Sequence, residues 1–208
     1  MQKYDAVLFD LDGTLWDAVH TVVKIWNKVL VSVGLEPTMN YDELSKCMGL
    51  RIEQIFDRVI PFATEEQREQ IKEGCILTEN EYLSECGGIL YEGVEETLAK
   101  LKEKYKLYVV SNCQDGYIQA FFKAHDLKKY FDGYECAGRT GMSKGENIKL
   151  VAQREGLKSP VYVGDTIFDY QAAEQAGVPF IFAEYGFGEV EDAQMTANSF
   201  VSLADILL

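Results

Sequence analysis

The chain has 208 residues, of which 47% are hydrophobic, so it is long enough to bury a sizeable core as one domain, with or without an insertion. Its 34 acidic and 20 basic residues give a formal net charge of −14 at pH 7. This charge argues against partners such as nucleic acid or an anionic membrane surface, because both favour clustered Lys and Arg. No apolar run reaches the roughly 20 residues that span a bilayer.

Compartment and redox state follow from the N-terminus and the cysteines. The N-terminal "MQKYD" lacks the basic and then apolar layout of a signal peptide, and the five scattered cysteines form no CxxC pair. We therefore expect a cytoplasmic chain with reduced cysteines. The sequence contains neither HExxH nor GxSxG, so a zinc protease and a serine hydrolase have no support.

The first predicted elements are one strand and a group of helices. "YDAVLF" is typical of a buried strand. Asp17 can cap a helix whose apolar residues recur at helical spacing from Val19 to Val33, just before Gly34. Residue pairs that resemble capping boxes predict two further helix starts. These pairs are Asn40 with Glu43 and Thr64 with Gln67, and Gly87 and Gly88 close the stretch.

Beyond residue 90 the predicted elements alternate between helix and strand. They are a helix near 94–104, the strand "LYVVS", a helix from Tyr117, a short strand near "YECA", a helix from Gly145, the strand "VYVGD", a helix from Asp169 and the strand "FIFA". Strands that alternate with helices predict an α/β fold with a doubly wound parallel sheet.

One spacing does not fit a simple sheet. The first strand ends near Phe9 and the next begins near Leu107, whereas a crossover helix needs only about a dozen residues. We therefore infer an all-helical cap inserted at residues 16–89. The catalytic core is then formed by residues 1–15 and 90–208.

Polar residues follow four of the predicted strands. In an open α/β sheet, ligands bind beyond the carboxyl ends of the strands, so these residues are candidates for one site. They are Asp10 and Asp12 after the first strand, Ser111 and Asn112 after the second, Lys144 after the third, and Asp165 and Asp169 after the fourth.

The pair of carboxylates in "FDLDGTLWD" predicts a metal site. Residues two apart on an extended strand share a face, so Asp10 and Asp12 can point into one pocket, and Gly13 permits the turn that follows. Close carboxylates repel each other unless a cation neutralises them. Together with Asp165, this pair offers the oxygen ligands that suit Mg²⁺, which also binds substrate phosphate.

The motifs "DLDGTL", Ser111, Lys144 and "GDTIFD" resemble the pattern of the haloacid dehalogenase superfamily over nearly the whole chain. The likeness is to the phosphoglycolate phosphatase-like branch, whose helical cap follows the first strand. The resemblance implies a Rossmann-like core. It also implies a magnesium-dependent phosphatase whose partner is a small phosphomonoester substrate.

The resemblance also implies roles for the carboxylates. Asp10 would be the nucleophile that forms an aspartyl phosphate, and Asp12 would be the general acid and then the general base. Asp10 and Asp165 would bind the metal through carboxylates, and Asp12 through its main-chain carbonyl. Asp169 would bind the metal through a water molecule or hold Lys144.

The phosphoryl group would be held by the remaining motif residues. Lys144 would offset its charge, and the Ser111 hydroxyl would donate a hydrogen bond to it. Main-chain amides near Asn112 and Gly13 are further candidate donors.

Arg51, in "CMGLRIEQ", is the candidate specificity residue of the helical cap. Gly49 interrupts two helical stretches and gives a turn that can face the strand ends. The fork of the Arg51 guanidinium suits a carboxylate or a second phosphate. An equally weighted alternative is that Arg51 begins a helix and pairs with a nearby acid on a solvated face.

Two other functions stay open. One is a sugar-phosphate mutase like β-phosphoglucomutase, which shares the core and the cap position. The other is a receiver-like module that is phosphorylated on Asp10 without turnover, although receivers lack the DxD pair and the long insertion. An acid at Asp12 favours phosphate esters over carbon–halogen or carbon–phosphorus bonds. Phosphoglycolate, a sugar phosphate and a nucleoside monophosphate all remain candidate substrates.

Overall fold

The computed structural model of the chain describes residues 3–208. Met1 and Gln2, part of the N-terminal stretch that lacks a signal-peptide layout, lie outside the described residues. The described strands are β1 (Ala6–Phe9), β2 (Trp16–Asp17), β3 (Ile89–Leu90), β4 (Lys106–Ser111), β5 (Gly133–Cys136), β6 (Pro160–Gly164), β7 (Phe180–Ala183) and β8 (Thr196–Ala197).

The helices lie between these strands. They are α1 (Val19–Ser32), α2 (Tyr41–Ser45), α3 (Ile52–Val59), α4 (Glu65–Cys86), α5 (Val94–Lys102), α6 (Tyr117–His125), α7 (Ala137–Thr140), α8 (Lys144–Arg154), α9 (Ile167–Ala176) and α10 (Leu203–Leu207). Within the described part of the chain, no helix has the length and apolar character that a membrane crossing requires.

A six-stranded parallel sheet forms the core, in the order β5-β4-β1-β6-β7-β8. Side chains of β1 alternate between its two faces, because successive residues of a strand point to opposite sides. Ala6 and Leu8 pack in a cluster with residues of α8 and α9, whereas Val7 and Phe9 pack in the cluster that includes α5 and α6. Helices on both faces confirm the doubly wound α/β prediction.

The helices α1 to α4 all lie between β1 and β4, where the sequence predicts the helical cap. We keep that name for residues 16–89. The base of the helical cap is not helical, because Trp16 pairs with Leu90 and Asp17 with Ile89 in a two-stranded antiparallel ribbon. Two residues per strand show too little alternation for the sequence to reveal this ribbon.

The predicted helix starts depend on local hydrogen bonds, and most are confirmed. Thr64 and Gln67 form a reciprocal capping box at α4, and Asn40 accepts a hydrogen bond from the Glu43 amide at α2. Asp17 accepts a hydrogen bond from the Val19 amide at 2.9 Å, although Ala18 occupies the cap position of α1.

Two helices of the core begin at a different residue from the one predicted. Helix α8 begins at Lys144 rather than Gly145, and α9 begins at Ile167 rather than Asp169. Each shift has the same cause, an unrecognised capping box in which a hydroxyl residue precedes the helix. The hydroxyl residues are Ser143 for α8 and Thr166 for α9.

The packing of α5 on the sheet predicts where the core is sensitive to truncation. Leu98 of α5 is fully buried, so Leu98→Ala is expected to lower the free energy of unfolding by about 2–5 kcal/mol. Leu77 of α4 is 74% exposed, and Leu77→Ala is the matched control, with an expected change within about 0.5 kcal/mol. Urea unfolding of both variants measures the difference, and equal losses would contradict the assignment of the core.

Candidate active site

The candidate site is assembled by three central strands of the sheet. Phe9 at the end of β1 is aligned with Val109 of β4 and with Val163 of β6, and all three strands run parallel. The residues that follow these strands therefore emerge at one edge. This edge carries Asp10, Ser111 and Asp165, each of them buried.

Lys144, the first residue of α8, reaches this edge from the neighbouring helix. Its ammonium nitrogen Nζ lies 2.9 Å from Asp10 Oδ1 and 2.6 Å from Asp169 Oδ1. Only 3% of the Lys144 side chain is exposed to solvent. Burial alone would lower the pKa of Lys144, but the charges of Asp10 and Asp169 outweigh it and raise the pKa above its ordinary value. Lys144 is therefore a fixed positive charge beside Asp10.

Asp169 is held at both of its carboxylate oxygens. Oδ1 accepts from Lys144 Nζ at 2.6 Å and from the Tyr162 hydroxyl at 3.3 Å. Oδ2 accepts from the Thr166 amide at 3.0 Å and from the Thr166 hydroxyl at 2.6 Å. Because Lys144 and Thr166 occupy both oxygens of the carboxylate, the geometry favours the role of holding Lys144 over that of a metal ligand.

Asp165 lies where two chain segments come too close for ordinary side chains. A Cβ on Gly13 would lie 1.9 Å from Asp165 Oδ2, and one on Gly186 would lie 2.3 Å from Asp165 Cβ. Gly13 also has φ of +81°, a conformation that favours glycine. The Phe187 amide donates to Asp165 Oδ2 at 2.8 Å. These contacts fix the direction of the Asp165 carboxylate.

The acidic cluster has the composition of a cation site. One carboxylate oxygen from each of Asp10, Asp165 and Asp169 lies within 4.8 Å of the others, and all three residues are buried. Only Lys144 offsets these three charges inside the cluster. Burial and the charge of Asp169 raise the pKa of Asp10 to about 6, although Lys144 opposes the shift. Burial and the charges of Asp169 and Asp10 raise the pKa of Asp165 well above its usual range.

Burial and mutual repulsion both disfavour the ionised forms of these carboxylates, so a positive charge among them would stabilise the cluster. Buried oxygen ligands with excess negative charge suit a hard divalent cation such as Mg²⁺. The residues therefore fit the expected metal, with Asp10 and Asp165 as the carboxylates whose oxygens are least occupied by other donors.

Asp12 occupies a different environment from Asp10. Its Oδ1 accepts hydrogen bonds from Trp16 Nε1 and from the Tyr117 hydroxyl, each at 2.9 Å. Both donors are uncharged. Burial and the nearby charge of Asp10 raise the pKa of Asp12 to about 8, although the Tyr117 hydrogen bond opposes the shift. The two carboxylates of the DxD pair thus differ in partner, since only Asp10 faces an ammonium.

The expected phosphate-binding groups are only partly available. The Ser111 hydroxyl accepts from the Cys113 amide at 3.4 Å, so its own proton is free to be donated. The Gly13 amide instead donates to the Trp16 carbonyl at 2.9 Å, and Asn112 Nδ2 donates to the Gly49 carbonyl at 2.8 Å. Asn112 thus contacts the helical cap through its side chain, and the role of main-chain amides near Asn112 and Gly13 in phosphate binding stays a prediction.

Arg51 lies at the start of α3, as one of the two alternatives expects, whereas its role in binding substrate stays a prediction. Its guanidinium donates to the main-chain carbonyls of Met142 and Gly141, in the loop that precedes α8. Arg51 does precede the first residue of α3, as expected, but no acid pairs with it within the described residues. The turn at Gly49 does face the strand ends, because a Cβ there would lie 3.1 Å from Thr166 Oγ1.

Several residues of the site were not found from the sequence. Trp16 and Tyr117 hold Asp12, and Tyr162 and Thr166 hold Asp169. Thr166 could have been found, since Thr-x-x-Asp before a helix resembles a capping box. The other three carry no local signal, because their contacts depend on how distant elements pack.

Comparisons with known proteins identify the family of the chain. A family model described as haloacid dehalogenase-like hydrolase matches residues 7–183. A phosphoglycolate phosphatase of Cupriavidus necator is 26% identical, with 97% of this chain and 90% of the relative covered. A probable phosphatase, IndB, of Dickeya dadantii is 28% identical, with 86% of this chain and 81% of the relative covered.

Solved structures show the same fold. A predicted phosphoglycolate phosphatase from Haemophilus somnus 129PT superposes with a TM-score of 0.88 at 22% identity, and both chains are covered in full. A haloacid dehalogenase-like family protein from Streptococcus pneumoniae gives a TM-score of 0.84 at 20% identity, again with both chains fully covered.

Repulsion within the acidic cluster predicts the effect of removing one charge. In chelator at pH 7, Asp165→Asn is expected to raise Tm by about 2–4 °C, equivalent to a gain of about 1 kcal/mol, because it relieves repulsion from Asp10 and Asp169. Mg²⁺ should raise the Tm of the wild type and have little effect on the variant. Thermal unfolding with and without Mg²⁺ measures both effects.

The control for this experiment is Asp192→Asn, which neutralises an exposed carboxylate outside the cluster. It should leave both Tm and the response to Mg²⁺ close to those of the wild type. A lower Tm for Asp165→Asn in chelator would show that the Asp165 charge stabilises the fold, contrary to the prediction.

Proposed function

The chain belongs to the haloacid dehalogenase-like hydrolase family, and on that premise we propose that it is a magnesium-dependent phosphatase. Its substrate is a small phosphomonoester, whose phosphoryl group passes first to Asp10 and then to water. The observation that carries the proposal is the unequal environment of the DxD pair. Asp10 faces the Lys144 ammonium at 2.9 Å, whereas Asp12 is held by the uncharged donors Trp16 and Tyr117.

The first step uses this difference. Lys144 favours the ionised form of Asp10, so a carboxylate oxygen of Asp10 is ready to attack phosphorus. As that bond forms, the bond from phosphorus to the alcohol oxygen breaks, and the oxygen keeps the electron pair. Asp12 donates its proton to this oxygen, and the alcohol leaves.

The second step returns the site to its starting state. Asp12, now ionised, takes a proton from a water molecule as the water oxygen attacks phosphorus. The bond between phosphorus and Asp10 breaks, which releases inorganic phosphate and restores the Asp10 carboxylate. Asp12 is protonated again. Trp16 and Tyr117 hold its Oδ1 throughout, so the same carboxylate can serve both steps.

The negative charge of the phosphoryl group is met by Lys144 and by the Ser111 hydroxyl. When bound, Mg²⁺ would supply further positive charge opposite the phosphoryl oxygens, held by Asp10, Asp165 and the Asp12 main-chain carbonyl. Asp169 is a positioning residue in this scheme, since its contacts are with Lys144, Tyr162 and Thr166.

The proposal assigns different tasks to the two parts of the chain. Residues 1–15 and 90–208 carry the chemistry, and the helical cap covers the site and selects the substrate. A cytoplasmic location completes the proposal, in keeping with cysteines that are all unpaired. Support for a phosphomonoester comes from the relatives named phosphatase, among them the phosphoglycolate phosphatase of Cupriavidus necator.

Loss of the nucleophile tests the mechanism directly. Asp10→Asn is expected to lower kcat for p-nitrophenyl phosphate by about a thousandfold or more, because an amide cannot form the phosphoenzyme. Chelation of Mg²⁺ should lower the wild-type rate similarly. The control is Asp57→Asn, on the exposed face of α3, which should keep the wild-type rate. Turnover by Asp10→Asn at the wild-type rate would exclude Asp10 as the nucleophile.

Substrates with different leaving groups distinguish Asp12 as a general acid from Asp12 as a structural metal ligand. Asp12→Asn keeps the main-chain carbonyl but has no proton to donate, so we expect a loss of about 10²–10⁴-fold for alkyl phosphates. The loss should be smaller in the first step for p-nitrophenyl phosphate, whose leaving group needs no proton. Burst kinetics on both substrates measure this. An equal loss on both, with weaker Mg²⁺ binding, would make Asp12 a structural ligand.

A further inference from the structure

A cavity of about 440 Å³ lies between the helical cap and the loop that follows β4. Its size is within the roughly 300–1,000 Å³ of small-molecule sites in proteins. Asn112 to Asp115 and Tyr117 form the core side of the cavity, and α1, α3 and α4 form the cap side. Neither Asp10 nor Lys144 lines it. The cavity is therefore beside the acidic cluster rather than part of it.

Tyr117 connects the cavity to the proposed chemistry. Its side chain lines the cavity, and its hydroxyl donates to Asp12 Oδ1 at 2.9 Å. In the proposed mechanism Asp12 protonates the oxygen of the leaving alcohol. The rest of that alcohol therefore extends from the Asp12 side of the reaction centre, where this cavity offers room for it.

The walls of the cavity are mainly apolar. Aliphatic and aromatic side chains from the helical cap form them, namely Val22, Trp26, Leu44, Leu50, Ile55 and Ile76. A two-carbon group such as glycolate would leave most of this apolar surface without a partner. The cavity suits a larger alcohol, because each buried apolar contact adds to the affinity.

The cations around the cavity are already engaged. Lys72 Nζ lies 2.6 Å from Glu53 Oε1, and the Arg51 guanidinium donates to the carbonyls of Gly141 and Met142. Glu79 and Asp115 add two more carboxylates to the lining. The lining thus holds three carboxylates, from Glu53, Glu79 and Asp115, against the two cations Lys72 and Arg51, so a second anionic group on the substrate would meet net negative charge.

Glu79 is a buried carboxylate in this lining. The residue is only 4% exposed, and it lies on α4 among the apolar side chains. Oε2 accepts from Trp26 Nε1 at 2.6 Å and Oε1 accepts from Gln114 Nε2 at 2.9 Å. Burial raises the pKa of Glu79, and the hydrogen bonds from Trp26 and Gln114 oppose the shift. Each oxygen has one donor and can accept a second, and an ammonium group beside the carboxylate would favour its ionised form.

We propose that the substrate is a monophosphate ester of a mainly apolar alcohol that carries an amine or another N–H donor, which binds Glu79. Phosphoglycolate and other esters with a second anionic group are poor substrates. This inference rests on the proposed function, because it treats the cavity as the site of the leaving alcohol. Glu79 acts here as a specificity residue, and it touches the alcohol rather than the phosphoryl group.

A matched series of substrates tests the inference in the full chain with Mg²⁺. Benzyl phosphate, 4-(aminomethyl)benzyl phosphate and 4-carboxybenzyl phosphate share one scaffold and differ only in the distal group. We expect kcat/KM to be highest for the aminomethyl ester and at least tenfold lower for the carboxy ester. Phosphoglycolate should also be at least tenfold below the aminomethyl ester. Phosphate release measures each rate.

The variant Glu79→Gln separates recognition from folding. It keeps the shape of the side chain but removes its charge, so the preference for the aminomethyl over the carboxy ester should fall at least tenfold. The loss should be in KM for the aminomethyl ester, with benzyl phosphate little changed. The control is Glu81→Gln, two residues along α4 and exposed, which should keep the full preference.

The outcomes distinguish the two proposals. Phosphate release with the carboxy ester or phosphoglycolate preferred, or a preference that Glu79→Gln leaves unchanged, overturns the inference while the phosphatase function stands. Phosphate release from none of the esters, including p-nitrophenyl phosphate, overturns the proposed function and the inference with it. A Glu79→Gln chain that fails to fold leaves the wild-type order of the three benzyl esters to decide.

Discussion

One buried ammonium among three buried carboxylates is the constraint on which the site depends. Lys144 contacts Asp10 and Asp169 at the same time, and all three side chains are at least 97% buried. A buried charge without a partner is costly, so each of these groups requires the others. Because Asp10 follows β1, Lys144 begins α8 and Asp169 lies in α9, this ion-pair network also ties two helices to the central strand. The chemistry and the packing of the core therefore share the same contacts.

The two carboxylates of the DxD pair have different partners, which lie on different sides of the site. Asp10 lies against Lys144, on the side of α8 and α9, and Asp12 lies against Trp16 and Tyr117, on the side of the helical cap. In the proposed mechanism, the leaving oxygen of a phosphoryl group at Asp10 would therefore lie towards the helical cap. The cavity lined by Glu79 is on the same side, which is where the proposal places the leaving alcohol.

The sequence predicts the groups that strand ends deliver, because a parallel sheet brings all its carboxyl ends to one edge. Asp10, Lys144 and Asp165 could be placed together for this reason before their distances were known. The partners of Asp12 could not, since Tyr117 comes from a distant helix whose packing no local pattern reports. For the same reason the sequence suggests two uses for Arg51, and the structure shows a third, a contact with main-chain carbonyls of the loop before α8.

Several hydrogen bonds between the helical cap and the core join a side-chain donor to a main-chain carbonyl. Asn112 donates to the Gly49 carbonyl, Arg51 to the Met142 carbonyl and Asn80 to the Asp115 carbonyl. A carbonyl group is the same whichever amino acid carries it, so substitutions at the acceptor positions leave these bonds in place wherever the backbone keeps its path. In these three bonds the donor side chains of Asn112, Arg51 and Asn80 are therefore constrained, whereas the acceptor positions Met142 and Asp115 are free to vary.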